Sequence, residues 1–196
     1  MPHRPFKTWA LPLAFIFSTT ACASTASSTD GYTGMPEVRQ FIKEMTTRHQ
    51  FSEAELDRVF SQAQRRDDIL TLMSKPAEKK LAWHEYRKIF LTRSRIDGGV
   101  TFWKENADIL AKAEQEFGVD AQVIVAIIGV ETRYGANTGK HRVIDALSTL
   151  AFDYPPRSKF FRGELEQFLL LARDESIDLL ATRGSYAGAM GYGQFI

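Results

Sequence analysis

The stretch "VIVAIIGVETRYG", Val123 to Gly135, places eight residues without a polar side-chain atom directly before Glu131. Asp120 stands ahead of it as a helix cap, and Val119 is placed to pack onto Ile124, so the run reads as a helix. Ile124, Ile127 and Ile128 precede Glu131 by seven, four and three residues, which puts all four on one helical face expected to turn inward. Burial and the negative end of the helix dipole both disfavour an ionised carboxylate, so its pKa is expected to be raised. A carboxylic acid kept protonated near neutral pH can give its proton to a leaving group. A structural glutamate paired with Arg133 or Arg142 explains the same position equally well.

Outward from this run the pattern stays helical. Upstream, Val38, Phe41, Ile42 and Met45 recur at helical spacing behind Pro36, which suits a first turn. Ser52 with Glu55 forms a capping box, with Phe51 and Leu56 as its hydrophobic staple, and Leu56, Val59 and Phe60 continue inward. Lys75-Pro76 breaks the chain, and "EKKLAWHEYRKIFL" resumes with Leu81, Tyr86, Ile89 and Phe90. One long helix is expected from about Ile96 to Phe117, ended by Gly118. Downstream, helices are expected at about 143–151, 158–173 and 175–181. No alternating stretch bounded by turns makes a strand, and no internal repeat occurs, so the fold class is all-α. Gly184, Gly188, Gly191 and Gly193 fall within ten residues and point to close backbone approach or bends.

The ends and the composition bound the function. The chain has 196 residues, enough for one domain with a real core. Its 25 Lys+Arg against 24 Asp+Glu make no basic field, so nucleic acid is not an expected partner. "MPHRPFKTWALPLAFIFSTTACAS" carries Arg4 and Lys7, no acid, a short apolar run and then small residues, the pattern of a secretory signal. Its removal leaves 23 basic against 24 acidic residues, a net charge of −1. Cys22 is the only cysteine, which excludes an intramolecular disulfide. "TTAC" resembles a bacterial lipoprotein signal, with Cys22 as the lipidated residue, although Thr19 stands where that pattern usually has an aliphatic residue. Residues 1–22 are thus expected to be a lipoprotein-type signal, 23–34 a flexible tether and 35–196 the folded domain. Ala23 after the cysteine resembles outer-membrane sorting; a soluble periplasmic protein cut near "ACAS" is the alternative. His3, His49, His84 and His141 have no metal-ligand spacing, and no phosphate loop occurs, so neither metal nor cofactor is expected. "RRDD", residues 65–68, reads as a solvated turn.

"GVETRYG" and "GSYAGAMGYGQF", together with "KPAEKKLAWHEYRKIFLT" and "FDYPPRSKFFRGELEQFL", resemble the lytic murein transglycosylase B family over about 35–196. The resemblance implies a lysozyme-like helical domain with Glu131 as its single catalytic acid and base. It further implies cleavage of the β-1,4 bond between N-acetylmuramic acid and N-acetylglucosamine in peptidoglycan, closing the muramyl C6 hydroxyl onto C1 without water. Ser185 and Gln194 match polar residues beside that glutamate, Tyr86 matches a cleft tyrosine, and Arg157 matches an arginine for the peptide stem or lactyl carboxylate. Tyr86 in a core and Arg157 as a solvated loop charge are the structural alternatives. Peptidoglycan strands and, through a lipid anchor, the membrane are the implied partners, with cell-wall synthesis proteins as further candidates. A hydrolytic muramidase and an inactive peptidoglycan-binding lipoprotein are the competing functions. "GYGQFI" stops inside a family motif, so a truncated domain is expected, without the rest of the cleft and the cation-binding loop of some members.

Overall fold

The computed structural model describes residues 31–75 and 81–196; the expected signal, Cys22 and residues 23–30 of the tether lie outside them. Among the described residues there are nine α-helices, one 3-10 turn and one two-residue strand pair. The elements are α1 (Pro36–His49), α2 (Glu53–Gln62), α3 (Asp67–Met73), α4 (Trp83–Phe90), α5 (Arg93–Glu105), α6 (Ala107–Phe117) and α7 (Ala121–Thr132). They continue with β1 (His141–Arg142), α8 (Val143–Phe152), α9 (Ser158–Asp174) and β2 (Arg183–Gly184). No helix among the described residues is long and apolar enough to cross a membrane.

The all-α expectation holds. α8 is the centre of the main core: Val143 through Ala151 are all buried, including Asp145, Ser148 and Thr149. α9 packs along it with Phe161, Leu165, Phe168 and Leu169. α1 contributes Val38, Phe41, Ile42 and Met45, the four residues that the spacing singles out. α2 adds Leu56, Val59 and Phe60, entered through Ser52, whose Oγ accepts from the Glu55 N–H at 3.4 Å. Burying a Phe60-sized side chain contributes about 2–3 kcal/mol. A second, smaller cluster joins α6 and α7 through Leu110, Ala121 and Val125, with Phe102, Ile124 and Tyr134 at its edge.

Four local expectations differ from the structure. The long helix breaks at Asn106, whose side-chain amide donates to the Phe102 carbonyl at 2.8 Å and so draws the backbone out of helical register. Residues 175–181 form turns, not a helix, because the Asp178 carboxylate accepts from the Leu180 and Ala181 N–H groups at 2.8 and 3.1 Å. Residues 67 and 68 open α3 instead of making a solvated turn, although Asp68 stays exposed and pairs with Arg66. The last tether residues also belong to the fold. Tyr32 is 2% exposed, its hydroxyl donates to Asp153 Oδ2 at 2.7 Å, and its N–H reaches the Phe60 carbonyl. A buried aromatic with a satisfied hydroxyl outweighs the flexible composition around it.

Candidate active site

Glu131 is the penultimate residue of α7, and the turn after it is held by unusual backbone. Arg133, Tyr134 and Gly135 follow at φ 52, 61 and 87, so three successive residues are left-handed. Arg133 caps the helix through its N–H to the Ile128 carbonyl. Thr132 is fully buried and fastens the turn: its Oγ1 accepts from the Gly135 N–H at 3.0 Å and lies 3.1 Å from both the Ile128 and the Tyr192 carbonyl oxygens, as a donor. Tyr134 folds back over α5 and α7, its hydroxyl donating to the Arg95 carbonyl at 2.9 Å. Gly129 makes that possible, since a Cβ there would lie 2.6 Å from the Tyr134 oxygen. Arg95 also donates to the Gly129 carbonyl at 2.8 Å, tying α5 to the last turn of α7.

The face of α7 that turns inward is not the expected one. Ala121, Val125, Gly129 and Thr132 are buried, whereas Ile127 is 49% exposed and Glu131 lies on the solvent side. Small residues decide this: Ala121 and Gly129 allow close approach of neighbouring groups, which the larger isoleucines would prevent. The desolvation expected of Glu131 is therefore not supplied by the described residues. Its carboxylate has no ion pair or hydrogen bond among them, and Arg142, one proposed partner, is committed to Asp145 at 2.8 Å.

Glu131 opens into a hollow of about 570 Å3 that Ser185 and Gln194 also line. The β1–β2 pair builds its wall: His141 faces Gly184 and Arg142 faces Arg183 in antiparallel register. Gly139, at φ 98, lies so close to Gly184 that a Cβ would strike its carbonyl. Ser185 Oγ accepts from the Ala187 and Ala189 N–H groups at 3.3 and 3.0 Å, which shapes the loop and leaves the hydroxyl proton to donate. Gln194, at φ 51, uses its amide nitrogen on the Gly191 and Thr138 carbonyls at 3.0 and 3.3 Å. Among the described residues, Glu131 is the only carboxylate lining the hollow. A larger hollow of about 750 Å3 runs between α9 and the C-terminal residues. It shares no residue with the first and is mostly apolar, so the polar hollow is the better place for chemistry.

Tyr86 and Arg157 lie elsewhere. Tyr86 is exposed on α4, 6.2 Å from the Trp83 ring and 5.1 Å from Phe90. The Arg157 guanidinium covers the Phe160 ring at 4.1 Å in a separate hollow with Pro155 and Pro156. Residues that the sequence did not single out join the site instead: Thr132 as its fastener, and Lys140 and His141 in its wall. The polar, Gly-containing loop between α7 and α8 was the signal for the last two.

His141 is 6% exposed, and its Nδ1 is buried without a hydrogen bond, 4.0 Å from Asp68 Oδ2. Burial pushes the imidazole below its ordinary pKa of 6.5, with Asp68 opposing and Arg66 and Lys140 reinforcing the shift. Folding thus favours neutral His141, while the unfolded chain takes up a proton near pH 6.5. This contribution to stability is complete above that pH and is lost as the pH falls towards the lower folded value. Denaturant unfolding from pH 7.5 to 5 should show the decline, and His141→Gln should flatten it; an equal slope in both proteins contradicts the assignment. The Arg66 guanidinium holds the Asp68 carboxyl below its usual range, so that pair responds only at more acidic pH.

This helical arrangement has counterparts among known proteins. The chain matches the transglycosylase SLT domain over residues 34–196 and belongs to that family. It is 48% identical over 170 residues to the membrane-bound lytic murein transglycosylase B of Escherichia coli, covering 82% of this chain and 47% of that protein. The soluble lytic transglycosylase SltB1 of Pseudomonas aeruginosa superposes with a TM-score of 0.79 at 54% identity, covering 82% of this chain and 54% of that one. SltB3 of the same organism, in complex with NAG-NAM-pentapeptide, superposes at 0.72 with 28% identity, covering 82% and 42%. The chain spans about half the length of these relatives. The fold is the mostly helical, lysozyme-like one of its SLT neighbours.

Proposed function

We propose that the protein is a peptidoglycan lytic transglycosylase with Glu131 as acid and then base. The observation that carries this reading is the meeting of Glu131, Ser185 and Gln194, from segments more than fifty residues apart, in one hollow of an SLT-family fold. Protonated Glu131 gives its proton to the glycosidic oxygen as the bond to the muramyl C1 breaks. The resulting carboxylate takes the proton of the C6 hydroxyl as that oxygen bonds to C1, closing a 1,6-anhydro ring. Most glycosidases need a second carboxylate as nucleophile or base. Glu131 is the one carboxylate among the described lining residues, which suits a scheme where one group does both tasks.

Ser185, whose hydroxyl proton remains free to donate, and Gln194 hold the sugar beside the carboxylate. Exposed Tyr86 offers a flat face, and Arg157 a cation, to parts of the strand outside the hollow. Peptidoglycan as substrate is supported by the muropeptide that SltB3 binds. Attachment to the outer membrane through Cys22 belongs to the same reading, supported by the membrane-bound relative. Cell-wall synthesis proteins are the partners it suggests.

Mass spectrometry of sacculi digested with the protein tests the reaction. Anhydro-ended muropeptides, lighter by one water than hydrolysed ones, are expected. Reducing-end products would make the protein a hydrolytic muramidase, and binding without release an inactive wall-binding protein.

A further inference from the structure

We infer that Lys140 recognises a carboxylate on the glycan that occupies the Glu131 hollow, so that the site selects anionic over neutral strands. The inference rests on the transglycosylase reading and adds what the hollow discriminates. Lys140 and Glu131 line the same hollow without forming an ion pair, so neither charge neutralises the other. Lys140 is the only lysine or arginine among the lining residues, and its ammonium has no partner among the described residues.

The backbone around Lys140 is held on both sides. Its carbonyl accepts from Arg183 Nη1 at 2.8 Å, Gly139 before it is pressed against Gly184, and His141 after it pairs with Gly184. An exposed lysine on a mobile loop is ordinarily a solvated charge of little consequence. This one leaves a fixed stretch of backbone in a concave site, next in sequence to a nine-tenths-buried imidazole whose Nδ1 lacks a hydrogen bond. Arg157, the other cation considered for such a group, lies in a separate hollow and is engaged with Phe160. A glycan with its scissile oxygen at Glu131 therefore meets positive charge in the same hollow. Both the free lactyl acid of a muramyl residue and the terminal carboxylate of a peptide stem have that chemistry.

Calorimetric binding to the Glu131→Gln protein, which prevents turnover, tests this with three ligands. They are a neutral N-acetylglucosamine tetramer, a GlcNAc-MurNAc oligomer with free lactyl acids, and its peptide-substituted form. The carboxylated ligands should bind roughly three- to fivefold more tightly than the neutral one, less so at high salt. Adding Lys140→Met should weaken the carboxylated ligands selectively and so remove that preference, while Lys140→Arg should retain it. Whichever carboxylated ligand shows the preference identifies the lactyl or the peptide group as its source. A preference that is absent, or that survives Lys140→Met, overturns the inference while neutral binding upholds the functional reading. Equal weakening of all ligands by Lys140→Met assigns a merely structural role and overturns it too. If no glycan binds, the functional reading fails and the inference with it.

Discussion

Glu131→Gln should abolish the release of soluble muropeptides from sacculi, by roughly 10²- to 10⁴-fold, while unfolding proceeds as in the parent protein. The second half of this expectation comes from the geometry. The Glu131 side chain is on the solvent side of α7, with neither ion pair nor hydrogen bond among the described residues, so exchanging its oxygen for an amide disturbs no packing. Exposed substitutions of this kind shift stability by about 0.5 kcal/mol or less. Glutamine keeps the shape and loses the transferable proton, which both halves of the proposed reaction require. Glu131→Asp should also be severely impaired, because the shorter side chain withdraws the acid from a leaving oxygen that must lie within hydrogen-bond reach. Unchanged release by Glu131→Gln would remove this residue from the chemistry, whatever its family resemblance. Loss of release together with early unfolding would instead show that the side chain has a structural task.

Asp145→Ala should have the opposite signature, a large loss of stability of about 3–5 kcal/mol. Asp145 is 1% exposed on α8, and both its oxygens are engaged. Oδ2 accepts from Arg142 Nε and Oδ1 from Arg142 Nη2, each at 2.8 Å, and Oδ1 also accepts from the Gln64 N–H at 2.9 Å. Arg142 Nη2 in turn reaches the Gln62 carbonyl, so one carboxylate ties the end of α2 to β1 and α8. Alanine would leave a partly buried guanidinium and a backbone donor without their acceptor. For a chain of this size the loss corresponds to a fall in Tm on the order of 10 °C. Asp145→Asn should cost less, since it can still accept through one oxygen. Activity should fall as well, because Arg142 belongs to the short strand that carries the wall of the hollow. Thermal unfolding of the three proteins at neutral pH checks the order; an Asp145→Ala protein as stable as the parent would show that this ion pair is dispensable.

The helices with a polar side are legible in the amino-acid pattern. α1, α2 and α9 keep their buried apolar residues at helical spacing with mostly polar or charged residues between them, so the buried face announces itself, while α8 is apolar enough to be buried along nearly its whole length. Gly118, at φ 67, ends α6 as the sequence suggests. α7 is different. From Val123 to Val130 it is apolar on every side, and such a pattern does not say which side is buried. The isoleucine spacing points to one face, whereas Ala121, Val125, Gly129 and Thr132 take the interior.

By itself the sequence determined the helical class, the existence of α7, and a glutamate in its last turn; through "GVETRYG" and "GSYAGAMGYGQF" it also pointed to Ser185 and Gln194. Local pattern suffices for these, since helix periodicity and motif residues are short-range properties. Only the tertiary structure decided that Glu131 faces outward, that Tyr32 belongs to the core, and that Lys140 and His141 share the hollow while Tyr86 and Arg157 do not. The physical reason is one of range. His141 meets Gly184 across forty-three residues through a ladder only two residues long, and no periodicity marks so brief a pairing. The face of an all-apolar helix is likewise set by which neighbours fit against its glycine and alanine, and those neighbours, Tyr134 and α5, arrive only when the chain folds.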